Sequence, residues 1–95
     1  MKATRLLAAA LLLLSTDALA ADQPPGVAAC TGCHAISART KTTAPRIQGR
    51  NATDIVAAMA DFRAGKRAST VMDRIAKGFT EGETQAIATW FAEQK

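Results

Sequence analysis

Both cysteines and the only histidine of the chain fall within five consecutive residues, Cys30-Thr31-Gly32-Cys33-His34. That cluster constrains the fold more than any other feature, because three side chains able to bind a metal or form covalent links are offered at one point. Four uses compete for them. A structural zinc ion wants four tetrahedral ligands, and the chain has no second ligand pair. A thioredoxin-type redox pair normally follows a strand in a βαβ setting, and no alternating apolar run here reads as a strand. A Cys30–Cys33 disulfide would remove little chain entropy from so short a loop and would leave His34 without a role. Covalent haem attachment uses all three residues. C-x-x-C-H is its signature: the cysteines join the two vinyl groups of the porphyrin, and the histidine that follows lies under the ring with its imidazole on the iron.

Compartment and size agree with that use. The chain opens MKATRLLAAALLLLSTDALA, with Lys2 and Arg5 ahead of an apolar run from Leu6 to Leu14 and Ala18-Leu19-Ala20 as a small-x-small cleavage signal. This is the layout of a secretory signal peptide over 1–20, expected to be cleaved, with a mature chain from Ala21. The apolar run is well short of the ~20 residues of a spanning helix. No membrane insertion is therefore expected after cleavage, and the protein is expected in the periplasm. Residues 21–95 then form a single small domain, of a size that commonly needs a disulfide, a metal or a cofactor to supplement its core. A large apolar macrocycle would supply that supplement in a chain with one Trp, three Phe and no Tyr.

The part expected to remain carries ten Lys and Arg against seven Asp and Glu, a net +3. Its cations crowd the middle of the chain, and Glu81, Glu83 and Glu93 lie near its end. Such asymmetry can steer docking to an acidic partner. Export and few aromatics argue against a nucleic-acid role.

Helical signals dominate. A short helix is expected from about Pro25 into the cysteines. Residues 37–49, SARTKTTAPRIQG, have neither helical nor alternating period, and so long a loop in a small domain is expected to wrap or bind something. Residues 51–65 read as a helix capped by Asn51 or Thr53, with Ile55, Met59 and Phe62 on one stripe and Gly65 as the stop. A shorter helix is expected over 70–77, ended by Gly78. Thr80 and Glu83 form a capping box for the last helix, whose apolar stripe is Ile87, Trp90 and Phe91. No internal repeat is present.

A haem held by His34 leaves a second axial position, for which the remaining chain offers Met59, Met72, a lysine or nothing. A His/Met pair raises the potential and suits electron transfer, whereas an open position suits gas or peroxide chemistry. Met59 shares a helical stripe with Ile55 and Phe62, where a methionine is more often packing. Met72 lies in the polar segment KRASTVMDRIAKG, where a thioether has less other reason to be, and is the expected ligand. Pro45 is a candidate to offer its carbonyl to the other ring nitrogen of His34, or is a plain turn former. Arg63, Lys66 and Arg67 are a candidate docking or propionate-facing cluster, or plain surface.

The order CTGCH, APRIQG, ADFRAGKR, a methionine and IAKGFTEGETQAIATWFAEQ resembles the class I c-type cytochromes across nearly the whole of residues 21–95. The resemblance implies an all-α, small class I cytochrome c fold, with three to four helices wrapped around one covalently attached haem. It also implies that the first and last helices cross beside the haem, with Trp90 and Phe91 near Val27. Within that family, ASTVMDRIAKGF most resembles the cytochrome subunit of flavocytochrome c sulfide dehydrogenase, which implies Met72 as axial ligand and an FAD-containing flavoprotein partner. In such complexes sulfide is oxidised at the flavin and electrons leave through the haem for a downstream redox acceptor. Relatives with two haem domains exist, and this chain carries one attachment motif.

The expectation is thus an electron-transfer subunit with no catalytic residue of its own: Cys30 and Cys33 anchor the ring, His34 and Met72 hold the iron, and Pro45 supports His34. The alternative is a free-standing diffusible periplasmic cytochrome carrying electrons between a dehydrogenase or membrane complex and an oxidase. Fold and ligands would be the same in both, because fold does not fix function. A five-coordinate haem sensor or peroxidase is the third possibility and requires Met72 to be dispensable.

Overall fold

The computed structural model describes residues 23–94, which form four helices and no strand: α1 Val27–Thr31, α2 Ala52–Arg63, α3 Met72–Ala76 and α4 Glu81–Glu93. The all-α architecture expected from the sequence is the one observed. The expected leader over 1–20 lies outside the described residues. Among those described, no helix is long and apolar enough to cross a membrane.

Each long helix begins and ends where its sequence provides a cap. Asn51 accepts a 2.8 Å hydrogen bond from the Thr53 amide at the start of α2, which decides between the two expected caps. Gly65, at φ +71°, ends that helix: its amide donates to Phe62 O and the Lys66 amide reaches back to Asp61 O, the paired bonds of a Schellman stop. The box at α4 is complete. Thr80 Oγ1 accepts from the Glu83 amide at 3.1 Å, and Glu83 Oε1 accepts from the Thr80 amide at 3.2 Å. At the far end of α4, Gln94 folds back so that its side-chain amide donates to Trp90 O.

The two short helices have less of their own. The first begins at Val27 with no side-chain cap, entered through Gly26. The third starts at Met72 rather than at 70, and its flanking Val71 also gives no side-chain cap. Five residues make barely more than one turn, below the length at which a helix persists in water without tertiary support.

That support comes from one buried cluster: Val27 of α1, Ile55 of α2, and Ile87, Ala88, Trp90 and Phe91 of α4. Residues 87, 88 and 91 recur at the spacing of one helix face. Val27 and Phe91 are wholly buried and share this cluster with Trp90, as the resemblance implied. Full burial of a side chain of either kind contributes about 1.5–3 kcal/mol. The Trp90 and Phe91 rings meet edge to face, with centroids 5.1 Å apart. The α2 helix packs against both α3 and α4, and Ile36, Ile47, Val56 and Phe79 pack around the outside of the cluster.

The entry to α1 depends on close approach. Gly26 has φ +98°, and a Cβ there would lie 2.6 Å from Phe79 Cε1 and 3.0 Å from Ile87 Cδ1. Both the left-handed conformation and the absence of a side chain are needed for α1 to dock on α4. Gly26→Ala is therefore expected to destabilise the protein by about 1–3 kcal/mol, through strain and displaced packing. Denaturant midpoints of the two proteins measure the loss.

Candidate haem site

The cysteine cluster is folded by main-chain bonds at the end of α1. The amides of Cys33 and His34 both point back at Cys30 O, at 3.2 and 2.8 Å, so the chain turns around one carbonyl directly after the helix. The two thiols meet different surroundings. Cys30 is half-buried against the core, its Sγ 3.5 Å from Gly26 O, and burial pushes its thiol pKa up. Cys33 is exposed. The two sulfurs form no disulfide with one another.

His34 is held across eleven residues of sequence. Its Nδ1 lies 2.5 Å from Pro45 O, and because a carbonyl only accepts, Nδ1 carries the proton in this pair. The lone pair is then on Nε2, the nitrogen left to face a metal, and the hydrogen bond fixes the ring's orientation. Pro45 contributes through its carbonyl, and proline's locked φ stiffens that carbonyl's position.

The loop over 37–49 earns its length by these contacts. Besides the Pro45 bond, Arg46 donates from one guanidinium nitrogen to Ile36 O at 3.3 Å and to Gln48 Oε1 at 3.1 Å. The Gly49 amide donates to Phe91 O at 2.8 Å, tying the loop's end to the last turn of α4. An irregular strap is thus fastened to the His34 turn, to itself and to the longest helix.

Met72 stands apart from the His34 group. It opens α3, is half-buried and is not part of the buried cluster. Ser69 holds the start of this helix, where its hydroxyl accepts from the Asp73 amide at 3.0 Å and donates to Asp73 Oδ1 at 3.2 Å. On either side of Met72 lie the large hydrophobics that remain most open among the described residues, Val71 at 49 % and Ile75 at 38 % exposure. Met59 is half-buried and, like Met72, stands outside the cluster.

These features suit a haem. A large flat apolar group could cover the strip beside a thioether, the histidine has the right nitrogen free, and the two thiols lie in the same turn as that histidine. Among the described residues no group of three or more His, Cys, Asp or Glu side chains is placed to hold an ion.

Of the three basic residues singled out in the sequence, Arg63 has a structural task. It is half-buried, and its guanidinium donates to Ala76 O at 3.3 Å from both Nε and Nη2, and from Nη2 to Phe79 O at 2.7 Å. Those carbonyls lie at and just beyond the end of α3, so this guanidinium is engaged within the chain. Arg67 stacks over the Phe62 ring at 5.4 Å, and Lys66 is exposed. Neither the Arg63 clamp nor the Ser69 bond was read from the sequence. A bond to a main-chain carbonyl leaves no trace in residue identity, and Ser69 had no visible pattern beyond its nearness to Asp73.

Ser69→Ala is expected to cost about 1 kcal/mol, as loss of a side-chain acceptor at a helix start usually does. Denaturation of the protein measures that cost, and faster amide exchange at Asp73 locates it.

No protein-family model matches the chain. It is similar, however, to the cytochrome subunit of sulfide dehydrogenase of Chlorobaculum tepidum, at 42% identity over 62 residues, which is 65% of this chain. The match covers 56% of that relative, so the chain aligns with little more than half of the relative's length. This likeness supports the resemblance carried by the sequence motifs.

Proposed function

We propose that the chain is a monohaem electron-transfer protein of the periplasm and serves as the cytochrome subunit of a sulfide dehydrogenase, receiving electrons from an FAD-containing partner. The haem reading is carried by the contact between His34 Nδ1 and Pro45 O inside a C-x-x-C-H turn, which leaves Nε2 directed away from its own chain's acceptor. The choice of complex is supported by the similarity to a protein that bears that name.

In this reading Cys30 and Cys33 hold the macrocycle by thioether links, His34 and Met72 hold the iron, and Pro45 keeps His34 in one tautomer. A haem so bound supplies a one-electron couple, and thioether ligation places that couple at higher potential than an open sixth position would. The work of the chain is therefore positional. It keeps two ligands in place through both oxidation states and exposes no side chain that must gain or lose a bond. Exposed Arg39, Lys41, Lys66, Arg74 and Lys77 provide positive surface for approach to a partner.

Replacing both cysteines by alanine is expected to abolish haem that stays with the denatured polypeptide. Met72→Ala is expected to retain covalent haem, lose the far-red absorption of a thioether bound to ferric iron, and show a lower reduction potential by voltammetry. A ferric spectrum unchanged in that variant would remove Met72 from the ligand set.

The complex is tested by isolating the tagged mature protein from its native periplasm under gentle conditions, then recording the spectrum before and after adding sulfide. The expected result is co-purified flavin, a flavoprotein-sized partner and rapid haem reduction. A lone haem protein that sulfide reduces slowly would instead identify a diffusible carrier.

A further inference from the structure

The FRAGKR segment, which closes α2 and leads toward α3, is not accounted for by cofactor attachment, yet it ends the helix that borders the Met72 segment. Arg63 is the last residue of α2, and its guanidinium reaches Ala76 O and Phe79 O, thirteen and sixteen residues on. Ala76 is the last residue of α3 and is wholly buried. The last carbonyl of α3, which also accepts from the Phe79 amide at 3.4 Å, is thus met by a fixed cation from the neighbouring helix, and so is the carbonyl of Phe79 in the turn that follows. Because α3 is five residues long, it cannot hold its own geometry. Its start is held by Ser69 and its end by Arg63, and Met72 lies between.

We infer that Arg63 is a positioning residue for the sixth ligand: by clamping the end of α3 to α2, it keeps the Met72 thioether seated on the haem iron against competing ligands. The inference rests on the reading of Met72 as ligand. Three features favour a positioning role over general stabilisation. The bonds go to α3 and to the turn after it, and none goes to α4. They are made by a forked donor able to bridge two carbonyls at once, which lysine's single ammonium does less well. Finally, Arg67 is stacked on Phe62, one residue before Arg63, which limits the freedom of the same helix end.

Competition by added imidazole for the sixth position of the haem-loaded ferric protein tests this, followed by absorption as the far-red thioether band disappears. Arg63→Gln is expected to bind imidazole about tenfold more tightly than wild type, which corresponds to about 1.4 kcal/mol of lost Met72 retention. Arg63→Lys is expected to fall between the two. Asn51→Ala serves as the comparison, since it removes the cap at the opposite end of α2 and is expected to lower the denaturation midpoint with imidazole affinity unchanged.

Equal imidazole affinity in wild type and Arg63→Gln, with the thioether band intact in both, overturns the positioning role and leaves the ligand reading standing. So does a rise in affinity in Asn51→Ala as large as that in Arg63→Gln, because the effect would then follow global stability. If Arg63→Gln does not accumulate as haem protein, Arg63→Lys decides, and an affinity equal to wild type overturns the inference. Absence of the thioether band from wild type itself overturns the ligand reading and this inference with it.

Discussion

The entry to α1 and the loop after the cysteines are both referred to the buried face of α4. Ile87, Ala88 and Phe91 provide the surface, Ile55 and Val27 close over it, and Gly26 lets α1 approach Ile87 without a side chain between them. The loop after the cysteines ends on Phe91 O. The helix that gathers these contacts is also the one with the most complete start signal, the Thr80 and Glu83 box. Local preference and tertiary demand therefore agree at the element on which the others depend, as expected of a sequence with few competing states.

Packing alone does not position the functional groups. The core is thin, and among its buried hydrophobic residues three are alanines. What aims the candidate site is a set of hydrogen bonds from side chains to main-chain carbonyls: His34 to Pro45, Arg46 to Ile36, and Arg63 to Ala76 and Phe79. Each joins a segment that has no repeating backbone ladder to one that is otherwise anchored. Charge-assisted bonds of the arginine kind contribute more than neutral ones, and they lose more when one partner is removed.

Where periodicity and capping chemistry govern, the fold was legible in the sequence. The Gly65 stop, the Thr80 cap and the Ile87, Trp90 and Phe91 stripe all appear in the structure, as does helix around the expected spans. The boundaries of α3 were less legible, because its start depends on Ser69 bonding to Asp73 and not on a cap directly before Met72. The nearness of Pro45 to His34 was anticipated as one of two options, since a stiff loop carbonyl is a natural acceptor for a ring N–H. The contacts of Arg63 within the chain were not legible, for a physical reason. A cation in a run of cations resembles surface, and only the three-dimensional position of Ala76 O and Phe79 O shows that this one turns inward.

With the proposed ligands, the two sides of the haem are mounted very differently. His34 follows a helix whose first residue is wholly buried, its amide is bonded to Cys30 O, and its ring is tied to the strap that ends on α4. Covalent links at Cys30 and Cys33 would add to that. Met72 sits on five residues of helix, flanked by partly open Val71 and Ile75, with its support at the two ends of the element. Local opening free energies follow the number of buried contacts and protected hydrogen bonds, so α3 belongs to the low-stability end of the molecule. Displacement of the methionine can then occur while α1, α2 and α4 stay folded. On the proposed ligation, the sixth position, not the histidine side, is where a competing ligand would alter the couple without unfolding the protein.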